Sequence, residues 1–304
     1  MVEQWCIRVP AQQGEKLRRL LVDEGVLDLS LKVQRDGSTL MLPVTEPREG
    51  AQRCEFDSMP ERVVLPRHEL VGGIAIMQAH NSKGAEKILR SRPSLHTVLF
   101  ASSEVCGEYR IREFEVLAGD STTRTEVIEY GNRFTVDLSR AYFSARLSSE
   151  RQRILEQVSG NEILLDMFAG VGPFALTLAA RATLVVASDI NPQAIILMLE
   201  NCARNHTDNV LPVLADAHHL SRTIPWRFDR IVMNLPLSGT EFLPDAFRLC
   251  IDGGIIHFYS LVSAEGEHID YIQNLGGDVI AERVVRSYSP SQWHTVYDIR
   301  VGND

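Results

Sequence analysis

Two glycines, Gly170 and Gly172, lie in a segment that could bring the backbone into contact with a nucleotide, residues 166–174 (DMFAGVGPF). The apolar residues before this segment predict a strand, and those after it predict a helix. Because glycine has no Cβ, the chain can turn tightly between the two elements and approach a ligand closely. The pattern is a weak signal by itself, since it also fits the dinucleotide-binding form G-x-G-x-x-A.

Acidic residues at three successive predicted strand ends strengthen this signal. Asp166 ends the first strand, Asp189 the second and Asp216 the third. In a parallel sheet the carboxyl ends of the strands meet at one edge, where ligands bind. There Asp189 could accept hydrogen bonds from two ribose hydroxyls, and Asp216 could meet an adenine amine. The sequence therefore predicts a nucleoside site at this edge.

The motif Asn234-Leu-Pro236 ends the fourth predicted strand. It resembles the Asn-Pro-Pro-Tyr type loop of S-adenosylmethionine-dependent amino methyltransferases, in which the Asn side chain and a neighbouring carbonyl bind a planar amide or an exocyclic amine edge. Dehydrogenases need no such loop. The form DxFxGxG, with its leading Asp166, also resembles the methyltransferase loop that faces the methionine end of the cofactor. Together these residues favour S-adenosyl-L-methionine over NAD as the cofactor.

Three segments of the chain would position these residues. Residues 137–304 alternate apolar strands with helical runs, which predicts an α/β domain with a doubly wound parallel sheet. Residues 1–55 predict a small β-α-β-β module with an Asp-Gly hairpin turn, and residues 56–136 predict an α+β middle domain. The prolines, glycine and charges of residues 45–60 predict a linker.

Length and composition fit a globular protein of two or three domains. The chain has 304 residues, of which 44% are hydrophobic and 23% charged. Its five cysteines are scattered, with no C-x-x-C pair, which predicts neither a zinc knuckle nor a disulfide framework. No apolar run is long enough to predict a membrane helix, and no secretory signal is evident. We therefore expect a cytoplasmic protein that does not enter a membrane.

The net charge argues against nucleic-acid binding through charge alone. Lys plus Arg total 31 against 40 Asp plus Glu, which gives −9, whereas such proteins are typically basic. RNA binding would need local basic surfaces, and two stretches could contact phosphates. They are Lys16, Arg18 and Arg19, and Lys83, Lys87, Arg90 and Arg92. Each stretch could equally be a solvated helix face.

Four motifs resemble one known family in order and spacing: FSARLSSERQRIL, LLDMFAGVGPFAL, ASDINPQAI and RIVMNLP. The family is that of the archaeal and eukaryotic tRNA (guanine-N1)-methyltransferases, which modify guanosine 37 beside the anticodon. GEYRIREFEVLAG and RVVRSYSP are similar to further family motifs, and Ala145 departs from the usual Pro of an S-P-R-L run. The resemblance implies a Rossmann-like class I methyltransferase domain. It also implies tRNA as the partner, held at the anticodon loop and, by the N-terminal module, at the outer corner.

The resemblance also implies catalytic roles. Guanine N1 carries a proton near neutral pH, so its methylation needs a general base and a donor that stabilises charge on O6. Glu150 matches the family's base, although it could be an ordinary first-turn carboxylate of a helix. Arg110 matches the arginine assigned to O6, with Arg112 as an alternative on the same face of a predicted strand. Asn234 and Pro236 would hold and shape the base pocket, and Tyr142 matches an aromatic residue near the base.

The residues implied to bind the cofactor come mainly from the predicted strand ends. Arg151 would contact the methionine carboxylate, and the others would wrap the rest of the molecule. They are Phe168, Gly170, Gly172, Asp189, Ile190, Asp216, Ala217 and Asn234. The pair His218-His219 lacks a third metal ligand at suitable spacing and is expected in a loop. No metal site is predicted, and an assisting Mg²⁺ is possible but is not evident from the sequence.

Two other functions stay open at this point. The related aminocarboxypropyl transferases of wybutosine synthesis use the same cofactor, although their fourth-strand loop lacks Asn-Leu-Pro and their glycine loop usually lacks a proline such as Pro173. A non-catalytic tRNA-binding protein is the alternative from a different class. The retained chemical residues favour the methyltransferase.

Overall fold

Contacts between residues divide the chain into two units, Met1–Val64 and Leu65–Asp304. The structure is a computed structural model that describes residues 1–59, 64–105 and 107–302. The predicted boundary between the middle and third segments, after residue 136, falls inside the second unit. Among the described residues, no helix is long and apolar enough to cross a membrane.

The first unit is a four-stranded antiparallel sheet with one helix, in the order β2-β3-β1-β4. Its elements are β1 (Val2–Pro10), α1 (Ala11–Asp23), β2 (Gln34–Asp36), β3 (Thr39–Val44) and β4 (Ala51–Phe56). Strand β4 lies within residues that the sequence predicted as a linker, and residue 60 of that linker lies outside the described residues. As an edge strand, β4 pairs with β1 alone and stays largely exposed, so its sequence carries no apolar alternation.

Cys6 and Cys54 form a disulfide between β1 and β4. The expectation of no disulfide framework is therefore wrong for this pair. The two cysteines are 48 residues apart in the sequence. They become neighbours only because β4 pairs with β1, and that pairing was itself not predicted.

The second unit begins with a mixed sheet in the order β5-β6-β7-β8, followed by a separate hairpin. The elements are β5 (His68–Val71), β6 (Ile74–Met77), α2 (Ser82–Ser91), β7 (Thr97–Ala101), β8 (Phe114–Gly119), β9 (Arg124–Glu129) and β10 (Asn132–Asp137). The Asn81 side chain caps α2 by accepting a hydrogen bond from the Gly84 amide. Strand β8 begins only at Phe114, so Arg110 and Arg112 precede it and do not share a strand face as predicted.

A seven-stranded sheet forms the rest of the unit, in the order β13-β12-β11-β14-β15-β17-β16. The first five strands in this order, β13, β12, β11, β14 and β15, run parallel to one another. Strand β17 is antiparallel to both of its neighbours, β15 and β16. The predicted doubly wound sheet is confirmed, with an antiparallel extension at one end. Its elements are α3 (Ser148–Gln157), β11 (Ile163–Asp166), α4 (Pro173–Ala179), β12 (Leu184–Asp189), α5 (Pro192–Arg204), β13 (Val210–Leu214), α6 (Ala217–Thr223), β14 (Phe228–Met233), α7 (Leu243–Leu249), β15 (Cys250–Val262), α8 (Ile269–Asn274), β16 (Gly277–Ser289) and β17 (Gln292–Val301). Two short 3-10 turns lie at Ala145–Leu147 and Gly239–Phe242.

One apolar core joins the middle segment to the large sheet. It contains Ile74 and Leu99 from the small sheet, Phe134 from β10, and Phe174 and Leu178 from α4. Burial of such side chains is the main favourable contribution to folding. The shared core explains why the middle segment and the sheet belong to one unit.

Candidate functional site

A cavity of about 520 Å³ opens at the carboxyl ends of the parallel strands, within the second unit. This volume lies in the usual range for small-molecule sites. The cavity brings together most of the residues predicted to contact the cofactor or the base. They are Arg110, Tyr142, Arg151, Phe168, Gly170, Asp189, Ile190, Asp216, Ala217 and Asn234.

The two glycines of the turn have different surroundings. Both have positive φ, 56° at Gly170 and 88° at Gly172, in the region that favours glycine. Gly170 lines the cavity. Gly172 does not, and a Cβ there would lie 2.6 Å from Leu176 Cδ1 and 2.8 Å from Met198 Cγ. Gly172 therefore allows close packing of α4 against α5, behind the cavity.

The Asp189 carboxylate is held by the backbone around it. Its Oδ2 accepts a hydrogen bond of 2.7 Å from the Gly170 amide, and its Oδ1 accepts one of 2.9 Å from the Asn191 amide. Burial raises the pKa of Asp189, while these amides act in the opposite direction. The geometry fixes a carboxylate on the cavity wall, where it can accept hydrogen bonds from hydroxyl groups. Asp216 caps α6 by accepting a hydrogen bond from the His218 amide.

Asp166 lies beneath the glycine turn and is fully buried. Among the described residues, neither of its carboxylate oxygens has a hydrogen-bond partner. Burial raises the pKa of Asp166 to about 7, although the backbone amides of Phe168 and Ala175 act in the opposite direction. An orphaned buried carboxyl beside the cavity suits a ligand that brings positive charge, since a nearby cation favours the ionised form.

We predict that Asp166→Asn stabilises the ligand-free protein at pH 8 more than at pH 5. A carboxyl whose pKa is raised in the fold holds a proton that the unfolded chain has lost. Stability therefore falls as the pH rises from about 4 to about 7, by about 4 kcal/mol in total. Asparagine removes this dependence. Urea unfolding at the two pH values measures it, with Asp208→Asn, at an exposed loop position, as the control. An equal effect of Asp166→Asn at both pH values would contradict the prediction.

Arg110, Tyr142 and Asn234 form one side of the cavity. Arg110 has a φ of 52°, a backbone conformation that is uncommon for a residue other than glycine. Its guanidinium carbon lies 5.3 Å from the centre of the Tyr142 ring, and burial lowers the pKa of the group. Arg110 Nε and Asn234 Oδ1 are buried without partners among the described residues. This side therefore offers unpartnered donors and an acceptor next to an aromatic ring.

Glu150 does not line the cavity, although Leu147 and Arg151 on either side of it do. Its carboxylate is buried and accepts hydrogen bonds from Arg153 Nε at 2.9 Å and from the Tyr259 hydroxyl at 3.2 Å. Arg283 of β16 forms a second ion pair with it. The carboxylate is thus fully engaged with positive and polar groups of the protein.

A buried polar network extends from Glu150 through Arg153. Arg153 donates to both oxygens of Asp298, at 2.6 and 3.2 Å, and His257 Nδ1 lies 2.6 Å from the same carboxylate. Arg230 donates to His257 Nε2 at 2.8 Å, so His257 is neutral and donates through Nδ1. Burial alone would raise the pKa of Asp298, but His257 and Arg153 hold it well below its usual range. Sequence reasoning missed this network because its members are far apart in the chain.

Arg151 pairs with Glu129 of β9 in a buried bidentate ion pair. Its Nε and Nη2 donate to the Glu129 oxygens at 2.9 and 2.7 Å, and Nη2 also donates to the Ser144 carbonyl at 3.2 Å. Its third nitrogen, Nη1, makes no hydrogen bond with the described residues. That nitrogen is the part of Arg151 available for a ligand carboxylate.

The remaining predicted residues lie at the edges of the cavity. Pro236 lines a smaller adjoining cavity. His218 and His219 lie in helix α6, not in a loop as expected, and His218 stacks on Phe242 with 4.1 Å between ring centres. The described part of the chain contains no cluster of side chains suited to a metal ion.

The sheet order, the glycine turn and the carboxylate at the second strand end define a Rossmann-like class I methyltransferase fold. Residues 6–52 match the tRNA methyltransferase 5 N-terminal domain, and residues 125–275 match the TRM5/TYW2 methyltransferase domain. The chain belongs to the TRM5/TYW2 methyltransferase family.

Similarity to members of this family extends over almost the whole chain. The tRNA (guanine(37)-N(1))-methyltransferase Trm5b of Pyrococcus abyssi is 37% identical over 97% of this chain and 98% of its own length. Its crystal structure covers 99% of this chain and all of the solved chain, with a TM-score of 0.79 and 35% identity. A solved complex of aTrm5 with tRNALeu covers 98% of this chain and 99% of its own, with a TM-score of 0.74 and 28% identity. The tRNA(Phe) (4-demethylwyosine(37)-C(7)) aminocarboxypropyltransferase of Methanocaldococcus jannaschii is 28% identical over 77% of this chain and 97% of its own length.

Proposed function

We propose that this protein methylates N1 of guanosine 37 in tRNA, with S-adenosylmethionine as the methyl donor. The observation that carries the proposal is the shared cavity. It places the strand-end residues suited to an adenosine next to Arg110, Tyr142 and Asn234, which suit a planar base. The similarity of almost the full chain to guanosine-37 methyltransferases supports the same activity.

The residues of the cavity fit S-adenosylmethionine. Asp189 would accept hydrogen bonds from the ribose hydroxyls, and Asp216 and Ala217 would contact the adenine. Arg151 Nη1 would bind the methionine carboxylate, and the orphaned carboxyl of Asp166 suits the positive charge of the molecule. When bound, the molecule supplies an electrophilic methyl group on its sulfonium.

The target base would lie against Arg110, Asn234 and Tyr142. Arg110 would donate to guanine O6, where negative charge develops as N1 loses its proton. Asn234 Oδ1 would accept from the amine edge of the base, and the Tyr142 ring would lie near the plane of the base. Both Arg110 Nε and Asn234 Oδ1 lack partners in the protein, which leaves them available. A base in a loop is cheaper to extract than one in a duplex.

Glu150 is proposed as the general base that takes the proton from N1. Its ion pairs with Arg153 and Arg283 hold the carboxylate in one position. Glu150 lies in the first turn of α3, three residues after Leu147, which lines the cavity. One turn of helix therefore separates Glu150 from the cavity wall. Since the carboxylate lies behind the wall, proton transfer requires substrate binding to open a direct path or a path through one water.

Basic groups outside the cavity would contact the tRNA phosphates. Part of each basic stretch is already neutralised, since Arg18 and Arg19 pair with Glu15, and Arg90 pairs with Glu86. Lys16, Lys83, Lys87 and Arg92 have no ion pair among the described residues. We propose that they contribute contacts to the anticodon loop and the outer corner of the tRNA, and that the protein acts in the cytoplasm.

We expect methyl transfer from labelled S-adenosylmethionine to a tRNA transcript with guanosine at position 37 and none to one with adenosine there. Adenine N1 carries no proton and offers no O6 to Arg110. Nucleoside mass analysis should find N1-methylguanosine as the product. A far heavier adduct on a tricyclic precursor would instead assign aminocarboxypropyl transfer. Binding of tRNA without any product would support the non-catalytic alternative.

A further inference from the structure

A second, smaller cavity of about 40 Å³ adjoins the main one. The two share Arg110, Tyr142 and Asn234 as lining residues. The far wall comes from the β16–β17 hairpin, which contributes Arg286, Tyr288 and His294. The RVVRSYSP motif of β16 thus lies at this cavity, and no role in cofactor or base binding accounts for it.

Two arginines in this small cavity have no partner. Among the described residues, neither the Arg110 nor the Arg286 guanidinium forms a hydrogen bond or an ion pair, and the Nε of each is buried. No carboxylate lines the cavity. Arg283, on the same strand, is by contrast paired with Glu150. The small cavity therefore carries two uncompensated positive charges.

His294 supplies a second, independent sign of a missing ligand. The residue is 2% exposed, and neither ring nitrogen has a partner within the described chain. Burial, reinforced by Arg286 and Arg110, lowers the pKa of His294 to about 4. The ring is therefore neutral at pH 7 and offers one N–H donor. Buried polar atoms are normally hydrogen-bonded, so these orphans point to a group that binds here.

The size of the cavity limits what that group can be. A single water needs roughly 10–15 Å³ of such space, so 40 Å³ holds about three waters. That is room for a tetrahedral oxyanion and far less than a purine requires. The base itself belongs in the main cavity, which is more than ten times larger.

We propose that the small cavity binds a phosphodiester group of the RNA directly beside the target nucleotide, with Arg286 as its principal charged contact. The inference rests on the proposed function, because the base must occupy the main cavity. Arg110 then contacts both the base and this phosphate from the boundary of the two cavities. Arg286 and the His294 N–H face the phosphate from the hairpin. The phosphate would thereby anchor the nucleotide while its base is out of the stack.

The test compares Arg286→Gln with the wild type on tRNAs that carry a single methylphosphonate linkage, 5′ or 3′ of guanosine 37. Wild-type transfer to the all-phosphate tRNA is measured first. Absence of transfer would contradict the proposed function, whereas transfer without the effects described below would contradict this inference alone. Arg286→Gln should then lower kcat/KM for the all-phosphate tRNA about 10- to 100-fold, the range of a lost charge-assisted hydrogen bond. The affinity for S-adenosylmethionine should not change. Arg300→Gln, an exposed arginine on the same hairpin outside both cavities, is the matched control.

The decisive result is the coupling between the two changes. At one of the two linkages, the methylphosphonate should lower kcat/KM of the wild type by a factor similar to that of Arg286→Gln. The same methylphosphonate should not lower kcat/KM of Arg286→Gln any further. Arg286→Gln should also reduce the slope of log affinity for tRNA against log salt by roughly 0.7, as expected for one single-strand phosphate contact. The proposal would be overturned if, at both linkages, the loss of kcat/KM from the methylphosphonate were the same in Arg286→Gln as in the wild type. So would an Arg286→Gln variant that discriminates guanosine from inosine differently, because Arg286 would then contact the base.

Discussion

Replacing Glu150 by glutamine is expected to lower the rate of methyl transfer to tRNA by about 100- to 10,000-fold, the usual contribution of a general base. The affinity for S-adenosylmethionine should remain, because Glu150 does not line the cavity. Glutamine is the informative substitution since it keeps the volume of the side chain. Alanine should also retain cofactor binding and lose transfer, but it leaves Arg153 and Arg283 without their shared partner.

Single-turnover transfer to tRNA and direct titration with S-adenosylmethionine separate the two effects. Glu156→Gln, an exposed position in the same helix, is the matched control. A base should also impose a rising limb on the pH–rate profile, and this limb should disappear in Glu150→Gln. A purely positioning carboxylate would lower the rate at every pH by the same factor. The assigned role would be contradicted if Glu150→Gln lost affinity for S-adenosylmethionine while the cofactor that still bound was used at the wild-type rate.

Replacing Arg151 by methionine is expected to lower the free energy of unfolding by about 3–5 kcal/mol, because Glu129 would stay buried without its partner. The side chains of Arg151 and Glu129 are only 2% and 7% exposed, so water cannot replace the lost partner. Urea unfolding measures the change. The pair joins the β9–β10 hairpin to helix α3, so the effect should extend across the second unit.

The double variant Arg151→Met/Glu129→Met tests the reason for this loss. Replacing both members of a buried pair by apolar side chains is often neutral or stabilising. The double variant should therefore recover stability. Its affinity for S-adenosylmethionine should nevertheless be lower than that of the wild type, because Arg151 Nη1, which is proposed to bind the methionine carboxylate, is absent. A double variant as unstable as Arg151→Met would show that packing at α3, and not the unpaired carboxylate, causes the loss.

The elements around the main cavity could be predicted from local patterns. Strands β11 and β12 end in Asp166 and Asp189, and the ends of β13 and β14 are followed within two residues by Asp216 and Asn234. These signals lie within a few residues of one another. The turn at Gly170 is also local, because its positive φ favours glycine.

The surroundings of the proposed catalytic residues depend on distant parts of the chain and could not be predicted in the same way. GEYRIREFEVLAG has the composition of a strand, yet Arg110 lies in a left-handed turn before β8, where it meets Tyr142. The bond from Arg153 to Asp298 spans 145 residues, and nothing near either residue indicates it. Strand β4 is polar because it lies at a sheet edge, so only its pairing with β1 reveals it.

If Glu150 is the general base, as proposed, its partners also determine when activity can arise during synthesis of the chain. Strands β11 to β14, with the residues suited to the cofactor, leave the ribosome well before Arg283 and Asp298 do. Strand β17 must then insert between β15 and β16 to complete the sheet. Contacts between such distant residues form slowly. Under the proposed roles, a nascent chain would hold a nucleotide before it could transfer a methyl group, and pairing of β17 would complete the surroundings of Glu150.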